Sequence, residues 1–388
     1  MDGVRLATLV AVATNFEPAP CAVVAGRAHL LSRFAYLRAE GGELVLESPL
    51  ASARVVLHDW RAAVLVHFLA GPCRVEDMRV RIPALSEGAV RALVALLLAA
   101  RMASEATEEG HAAQDQTTAL RSWEFHDLLF HARSRGGRHG QPVGGTVRFL
   151  GDLDPPPALP SRSIPGPVAL WRPDLQRLEE VDPPFARVQE ARRSIREYDA
   201  NPLTVRQLGE FLYRVGSVAD YWEDELPTPH GTVRVASAAR PYPSGGGAYA
   251  LELYVSVNRC AGLDAGLYRY DAERHCLDPV AAREGSDGLL SDASLATRIP
   301  KDRLQVLIVV AARFQRVAWK YTSIAYSLIL KDVGVLYQTM YLVATAMGLA
   351  PCAAGCGNAD LFARAAGVDY YAETSVGEFL LGSKGTGE

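Results

Sequence analysis

The stretch Leu304–Gly348 reads LQVLIVVAARFQRVAWKYTSIAYSLILKDVGVLYQTMYLVATAMG. Its opening, Leu304 to Ala311, is an apolar run of the kind found in strands buried on both faces. From Ser323 to Met347 the period changes. Ile324, Leu328, Leu336, Met340, Val343 and Met347 recur at helical spacing, and Gly348 is placed to end the helix. Upstream, Leu251–Val257 alternates as a strand. Further upstream, Thr204 with Gln207 three residues on forms a capping-box pattern. It opens a helix whose apolar face holds Leu208, Phe211, Leu212 and Val215. Phe379–Leu381 reads as a last short strand. Helix, strand, strand, long helix, strand is the order of an α+β domain, a sheet wrapped by helices, beginning near Val181.

At 388 residues the chain exceeds what one hydrophobic core usually serves, so a second domain is expected. Residues 1–105 supply it. Leu44–Glu47 and Arg54–Leu57 read as strands around a turn at Ser48 and Pro49. Asp59 caps a helix that stops at Gly71-Pro72. Ser86 caps another, with Val90, Leu93, Val94, Leu97 and Leu98 at helical spacing. Short helices with paired strands suggest a winged-helix-like module, either peptide-binding or structural. Arg74, Arg79 and Arg81 are interleaved with Glu76 and Asp77, which argues against a basic recognition stripe for DNA. Residues 106–180 read as a linker or surface arm between this module and a domain at 181–388. The chain is polar and acidic from Ala103 to Gln116 and proline-rich from Asp152 to Pro167.

The formal net charge of −4 provides no global field for nucleic acid or anionic lipid. Ala92–Ala100 is too short an apolar stretch to span a bilayer. The N-terminal MDGVRLATLVAVA has a single early Arg and is followed by Asn15, Phe16 and Glu17. It reads as a strand and not as a signal peptide. Six cysteines spread over the chain fit reduced thiols in a cytoplasmic protein. Cys352 and Cys356 lack further ligands at metal-binding spacing, so no metal is expected.

Three clusters carry chemistry. ARRSIREY, Ala191 to Tyr198, places Arg192, Arg193, Ser194 and Arg196 just before a helix. Arginine forks suit a phosphate monoester, although a solvated basic turn would look the same. RPYPSGGGAYALELYV contains Pro243, Ser244, Gly245 and Gly246, a loop through which backbone can approach a flat ligand. AWKYTSIAY contains Lys320 and Tyr321. Such a pair can supply a base if the ammonium stabilises a phenolate or a dry pocket favours the neutral amine, but the dipeptide alone is common.

Together, in this order and spacing, RRSIREY, PSGGGAYALELY, KYTSIAYSLILKDVGVLYQTMYLVATAMGL and the closing GEFLLG resemble the nitroreductase superfamily. More narrowly they resemble its SagB/McbC-type thiazoline/oxazoline (azoline) dehydrogenases. Trp123–Phe149 and the ESPL at Glu47–Leu50 are similar to the segments that precede the catalytic domain in that subfamily. The resemblance implies a nitroreductase-like fold with a mainly antiparallel central sheet, FMN bound non-covalently, and a homodimer. It implies that Arg192, Arg193, Ser194 and Arg196 grip the FMN phosphate and ribityl chain. Pro243, Ser244, Gly245 and Gly246 would lie near the isoalloxazine, Gln338 at a polar helix position near the cofactor, and Gly355 in the small-residue segment that covers it. Lys320 and Tyr321 match the catalytic base pair.

The implied reaction is oxidation of a thiazoline or oxazoline in a ribosomal or carrier-bound peptide to the thiazole or oxazole. It belongs to natural-product biosynthesis, and cyclodehydratases would be partners. An azoline loses a proton from one ring carbon and a hydride from its neighbour, so a base must face the first while the flavin accepts the second. Two departures stand out. AYALELY follows the glycines where a histidine and proline are expected, and AYSLIL lacks the arginine often found beside the second Tyr. The alternative is a nicotinamide-dependent flavin reductase acting on nitro, quinone or dehydroamino-acid substrates, which would not need the Lys-Tyr pair. A third reading, a degenerate flavin domain serving as a scaffold, is opposed by the intact arginine cluster.

Overall fold

A computed structural model describes residues 4–13, 16–18, 21–160, 166–228 and 231–385. Asn15 of the N-terminal segment and residues 161–165 of the proline-rich stretch lie outside them. The chain divides into two compact units, one up to Gly144 and one from Gly145 onward. That division falls inside the 106–180 segment expected to be linker or arm.

In the first unit, Ala7–Ala11, Ala53–Leu57, Glu43–Glu47 and Tyr36–Glu40 form a four-stranded antiparallel sheet in that order. The N-terminal segment is thus a strand, as its sequence indicates. The helices Trp60–Phe68 and Glu87–Ala99 start where expected. The Asp59 side chain accepts from the Arg61 N–H, and Ser86 accepts from the Ala89 N–H. A three-stranded sheet, Cys73–Arg74, Ala28–Leu31 and Ala103–Glu105, sits with these helices. From Trp60 to Glu105 the order is helix, strand, helix, helix, strand. The two strands singled out in the sequence belong to the four-stranded sheet instead. Beyond them, buried Asp115 accepts from the Ser32 hydroxyl and the Arg33 N–H, each at 2.7 Å.

The second unit is built on a seven-stranded sheet. Its order is Leu349–Ala354, Glu373–Ser383, Val306–Arg313, Leu251–Val257, Gly266–Asp271, Cys276–Ala282 and Val168–Ala169. Every neighbouring pair is antiparallel. The run at 304–311 is buried on both faces, as its composition requires. Val306, Ile308 and Val310 join one core with Leu208, Phe211, Leu212 and Val215 of the capped helix Val205–Gly216. Leu307, Val309 and Ala311 join a second core with Leu289, Leu290 and Phe362.

Three expectations need correction. Leu251–Val257 is buried at every residue and not on alternate ones, because both sheet faces are covered. The short strand at Phe379–Leu381 is the end of an eleven-residue strand, Glu373–Ser383. The long helix runs Ala325–Ala346, with Gly348 left-handed (φ 68°) after it. Its core stripe is Ile329, Val333, Leu336, Met340 and Ala344, whereas Ile324, Leu328, Val343 and Met347 are half-buried. A helix apolar on most sides does not reveal from sequence which side the sheet will cover.

All six cysteines are free, with Cys352 buried but Cys356 exposed. Among the described residues no helix is long and apolar enough to cross a membrane, and no His, Cys, Asp and Glu side chains group as a metal site.

Candidate functional site

Strand Val306–Arg313 leaves the sheet, turns through a short helix Phe314–Ala318, and delivers Lys320 and Tyr321 to the start of the long helix. Strand Leu251–Val257 is preceded by the loop Pro243–Gly247. The two strands are sheet neighbours, with Leu251 opposite Ala312. Their ends therefore bring together residues 74 positions apart in sequence. The Lys320 ammonium donates to the Gly246 carbonyl at 3.1 Å. The Tyr321 hydroxyl packs so closely on Gly246 (φ 60°) that a Cβ there would lie 2.0 Å from the phenol oxygen. Only glycine fits this position, for space and for backbone conformation.

The loop is held from below by Asp332, a buried carboxylate on the long helix that the sequence reading passed over. Ser244 Oγ donates to it at 2.5 Å, and the Gly245 N–H donates at 3.1 Å. Burial pushes the Asp332 carboxyl above the usual carboxylate range, against the pull of those two donors. The signal was one acid, in LILKDVGVL, at a helical position otherwise filled by apolar residues. Burial also raises the Tyr321 phenol, and the neighbouring Asp332 charge adds to the rise. Of the two ways the pair was expected to furnish a base, the phenolate is therefore the disfavoured one.

The arginine cluster meets a different part of the same helix. Arg192 ends the helix Phe185–Ala191, and the chain then runs extended beside the strand Leu349–Ala354, with the Ile195 N–H donating to the Pro351 carbonyl at 2.8 Å. The Arg192 guanidinium lies over the Tyr341 ring, 5.2 Å from its centroid. The Ser194 and Tyr341 hydroxyls pair at 2.7 Å, and the Ala353 N–H donates to the same phenol oxygen at 2.8 Å. Arg192 and Ser194 thus converge on one tyrosine, as residues alternating along an extended segment should. Arg196 is close enough to the buried Cys352 for its charge to act on that thiol. Arg193 instead lines a cavity of about 340 Å³ together with Arg187, Thr345 and Lys384. Tyr341 and Lys384 were missed from sequence. Lys384 lies 188 residues beyond Arg196, and only the fold brings the C-terminal strand next to the cluster. Gly355 follows the strand Leu349–Ala354 at an exposed position, where an added Cβ would meet nothing within 4 Å. Gln338 is exposed on the long helix.

Residues 29–140 match the model of the cyanobactin oxidase ThcOx, and residues 190–382 match that of the nitroreductase family. Among curated proteins, a Methanocaldococcus jannaschii protein named as a nitroreductase, MJ1384, is 28% identical over 47% of this chain and 81% of its own length. The trifolitoxin-processing protein TfxB of Rhizobium leguminosarum bv. trifolii is 30% identical over 28% of this chain, and the match spans 30% of that protein. The microcin B17-processing protein McbC of Escherichia coli is 29% identical over 39% of this chain and 52% of its own length. The matches to the two processing proteins thus span about half of those relatives or less. The resemblance carried by the arginine, glycine and Lys-Tyr motifs is borne out: residues 190–382, which hold all three motifs, match the nitroreductase family of oxidoreductases, with the cyanobactin-oxidase match ahead of them.

Proposed function

We propose that the protein is an FMN-dependent azoline dehydrogenase that oxidises thiazolines or oxazolines in a peptide to thiazoles or oxazoles. The observation that carries the proposal is the contact of Lys320 and Tyr321 with Gly246, a base-forming pair set against a loop suited to a flat ring. The similarity to two peptide-toxin-processing proteins and to a cyanobactin oxidase supports it.

The residues present fit FMN. Gly247 (φ 64°) and Gly355 have no atoms near the space a side chain would fill, so the backbone at both is open to a ligand. Arg192, Ser194 and Arg196 would hold the phosphate and ribityl chain, with Arg193 and Lys384 adding charge from the adjoining cavity. Gly245 and Gly246 would lie along the ring. FMN supplies a two-electron acceptor that takes a hydride from the azoline. The chain's own task is the other hydrogen, a proton on the neighbouring carbon. With the phenolate disfavoured, the Lys320 amine is the group to take that proton. The neutral Tyr321 hydroxyl is then a hydrogen-bond donor beside it.

The two clusters flank the long helix on opposite sides. Asp332 and Tyr341 are nine residues apart, about two and a half turns, and the core stripe lies between them. Tyr326, Leu330 and Val335 leave apolar surface on the helix exposed, and Gln338 shares its outer side. A homodimer packed through this surface would build each flavin site from the arginine segment of one copy and the glycine loop of the other. Residues 1–105 are the candidate peptide-binding module, cyclodehydratases are the candidate partners, and six free thiols fit a cytoplasmic setting.

The test is Lys320→Ala and Tyr321→Phe. Both should keep bound FMN while azoline oxidation falls by ~10²–10⁴-fold for loss of a general base at Lys320, and less for Tyr321→Phe. Near wild-type turnover in both would make the pair structural and shift weight to the nicotinamide-dependent reductase.

A further inference from the structure

The segment leading to Lys320 is clasped along its length by an arm with little regular structure, Gly145–Ala158. The two run antiparallel, contact by contact. At one end the Arg313 guanidinium donates to the Ala158 carbonyl at 3.1 Å and also to that of Pro157. Arg316 Nη1 donates to the Pro156 carbonyl at 2.8 Å, and the Trp319 indole N–H donates to the Leu153 carbonyl at 2.7 Å. At the other end the Val147 N–H donates to the Lys320 carbonyl at 3.1 Å, and the Thr146 and Thr322 hydroxyls pair at 2.5 Å. These last two contacts bracket Tyr321, and Gly145 lies against its ring.

Arg316 has the widest reach in this clasp. It is 6% exposed, and its hydrogen bonds all go to backbone carbonyls. Nε donates to Ala248 at 2.8 Å, just past the glycine loop, and Nη2 donates to Ala236 in the hairpin Asp220–Thr228/Gly231–Ala239. Nη1 holds Pro156 of the arm. No carboxylate among the described residues forms an ion pair with it, and burial, with the Arg313 charge beside it, lowers it to about 10. A buried cation without a counter-charge is costly. A residue whose only role was filling space would be apolar here. The rigid fork of donors is what lets one side chain hold three separate segments.

We propose that Arg316 is a positioning residue for Lys320 and Tyr321, tying the arm, the hairpin and the glycine loop to the segment that carries the pair. The proposal rests on the reading of that pair as catalytic. Arg316 does not touch the reacting atoms. It fixes the carbonyl end of the loop that receives the Lys320 ammonium and the arm that brackets Tyr321, so that base and loop keep one spacing.

The experiment uses the full-length protein with FMN and a synthetic thiazoline peptide, comparing Arg316→Lys, Thr146→Val, Thr146→Ser and Lys320→Ala. A lysine cannot span three carbonyls. Arg316→Lys should therefore lower kcat by ~10²-fold, the scale of an ångström of misplacement, with KM and flavin content little changed. Thr146→Val should lower kcat by about tenfold, and Thr146→Ser, which keeps the hydroxyl, should restore it. Wild-type kcat in Arg316→Lys and Thr146→Val, with Lys320→Ala inactive, would overturn the positioning role while leaving the catalytic pair intact. If Arg316→Lys does not fold, the two Thr146 variants decide. If Lys320→Ala is itself fully active, the catalytic reading has failed. Hydrogen exchange at the Val147 amide then decides, faster exchange in Thr146→Val supporting the clasp and unchanged exchange overturning it.

Discussion

Gly246→Ala tests the geometry at the centre of the site. The added methyl would lie 2.0 Å from the Tyr321 phenol oxygen and 3.1 Å from the Lys320 ammonium. A Cβ essentially never comes within 3.0 Å of an atom outside its own neighbourhood, so the tyrosine or the loop must shift by about an ångström. Gly246 also sits at φ 60°, where an alanine costs ~1–2 kcal/mol in backbone strain. At ~2–4 °C per kcal/mol for a unit of this size, the melting temperature should fall by roughly 2–8 °C. Activity should fall much further, because an ångström of misplacement costs ~10²-fold in rate. The assay pairs a thermal melt with kcat for azoline oxidation. Gly367→Ala is the control: it shares the left-handed backbone (φ 65°), its methyl meets nothing within 4 Å, and it caps the helix Ala359–Ala366, outside the site. If the two variants lose the same activity, backbone strain alone explains the effect, and the contact of Tyr321 with Gly246 has no part in turnover.

Arg196→Ala should weaken FMN binding by ~10–100-fold, the ~1.5–3 kcal/mol of a forked charged contact, read as flavin retained after gel filtration. Asp332→Asn keeps an acceptor for Ser244 and Gly245 but removes the buried charge. Because burial raises the folded-state carboxyl above its ordinary value of 3.8, the wild-type protein holds this contribution to stability below about pH 4 and loses it as pH rises through the raised value. The melting temperature of Asp332→Asn should therefore gain on wild type from pH 4 upward, and a constant difference across pH would contradict the buried-acid assignment. Light scattering of the flavin-loaded protein should give a dimer, and an active flavin-loaded monomer would remove the shared-site arrangement.

What the sequence revealed depended on how local the physics was. The capping box at Thr204, the caps at Asp59 and Ser86, and the stop at Gly348 are contacts within a few residues, and each is where the sequence indicates. The run at 304–311 was legible because burial on both faces leaves no room for polar residues except near its ends. The buried side of the long helix was not, since apolar residues occur on most of its faces. The hairpin strand Asp220–Thr228 went unseen because almost every residue in it is exposed, so no buried face wrote an alternation into it. The strand Glu373–Ser383 was shortened to its apolar end because Thr374, Ser375 and Gly377 interrupt the pattern. Within the site, the motifs were legible as residue types, but their partners were not. Asp332, Tyr341 and Arg316 each act on a segment between 68 and 160 residues away, through hydrogen bonds that only the fold creates.

The most direct test is mass spectrometry of a thiazoline-bearing peptide after incubation with the purified flavoprotein. A loss of about two mass units per ring, absent with Lys320→Ala, is the expected result, because the reaction removes one proton and one hydride from each ring. A peptide of unchanged mass, beside a protein that oxidises a nicotinamide and reduces a quinone or nitroaromatic compound, would contradict the account.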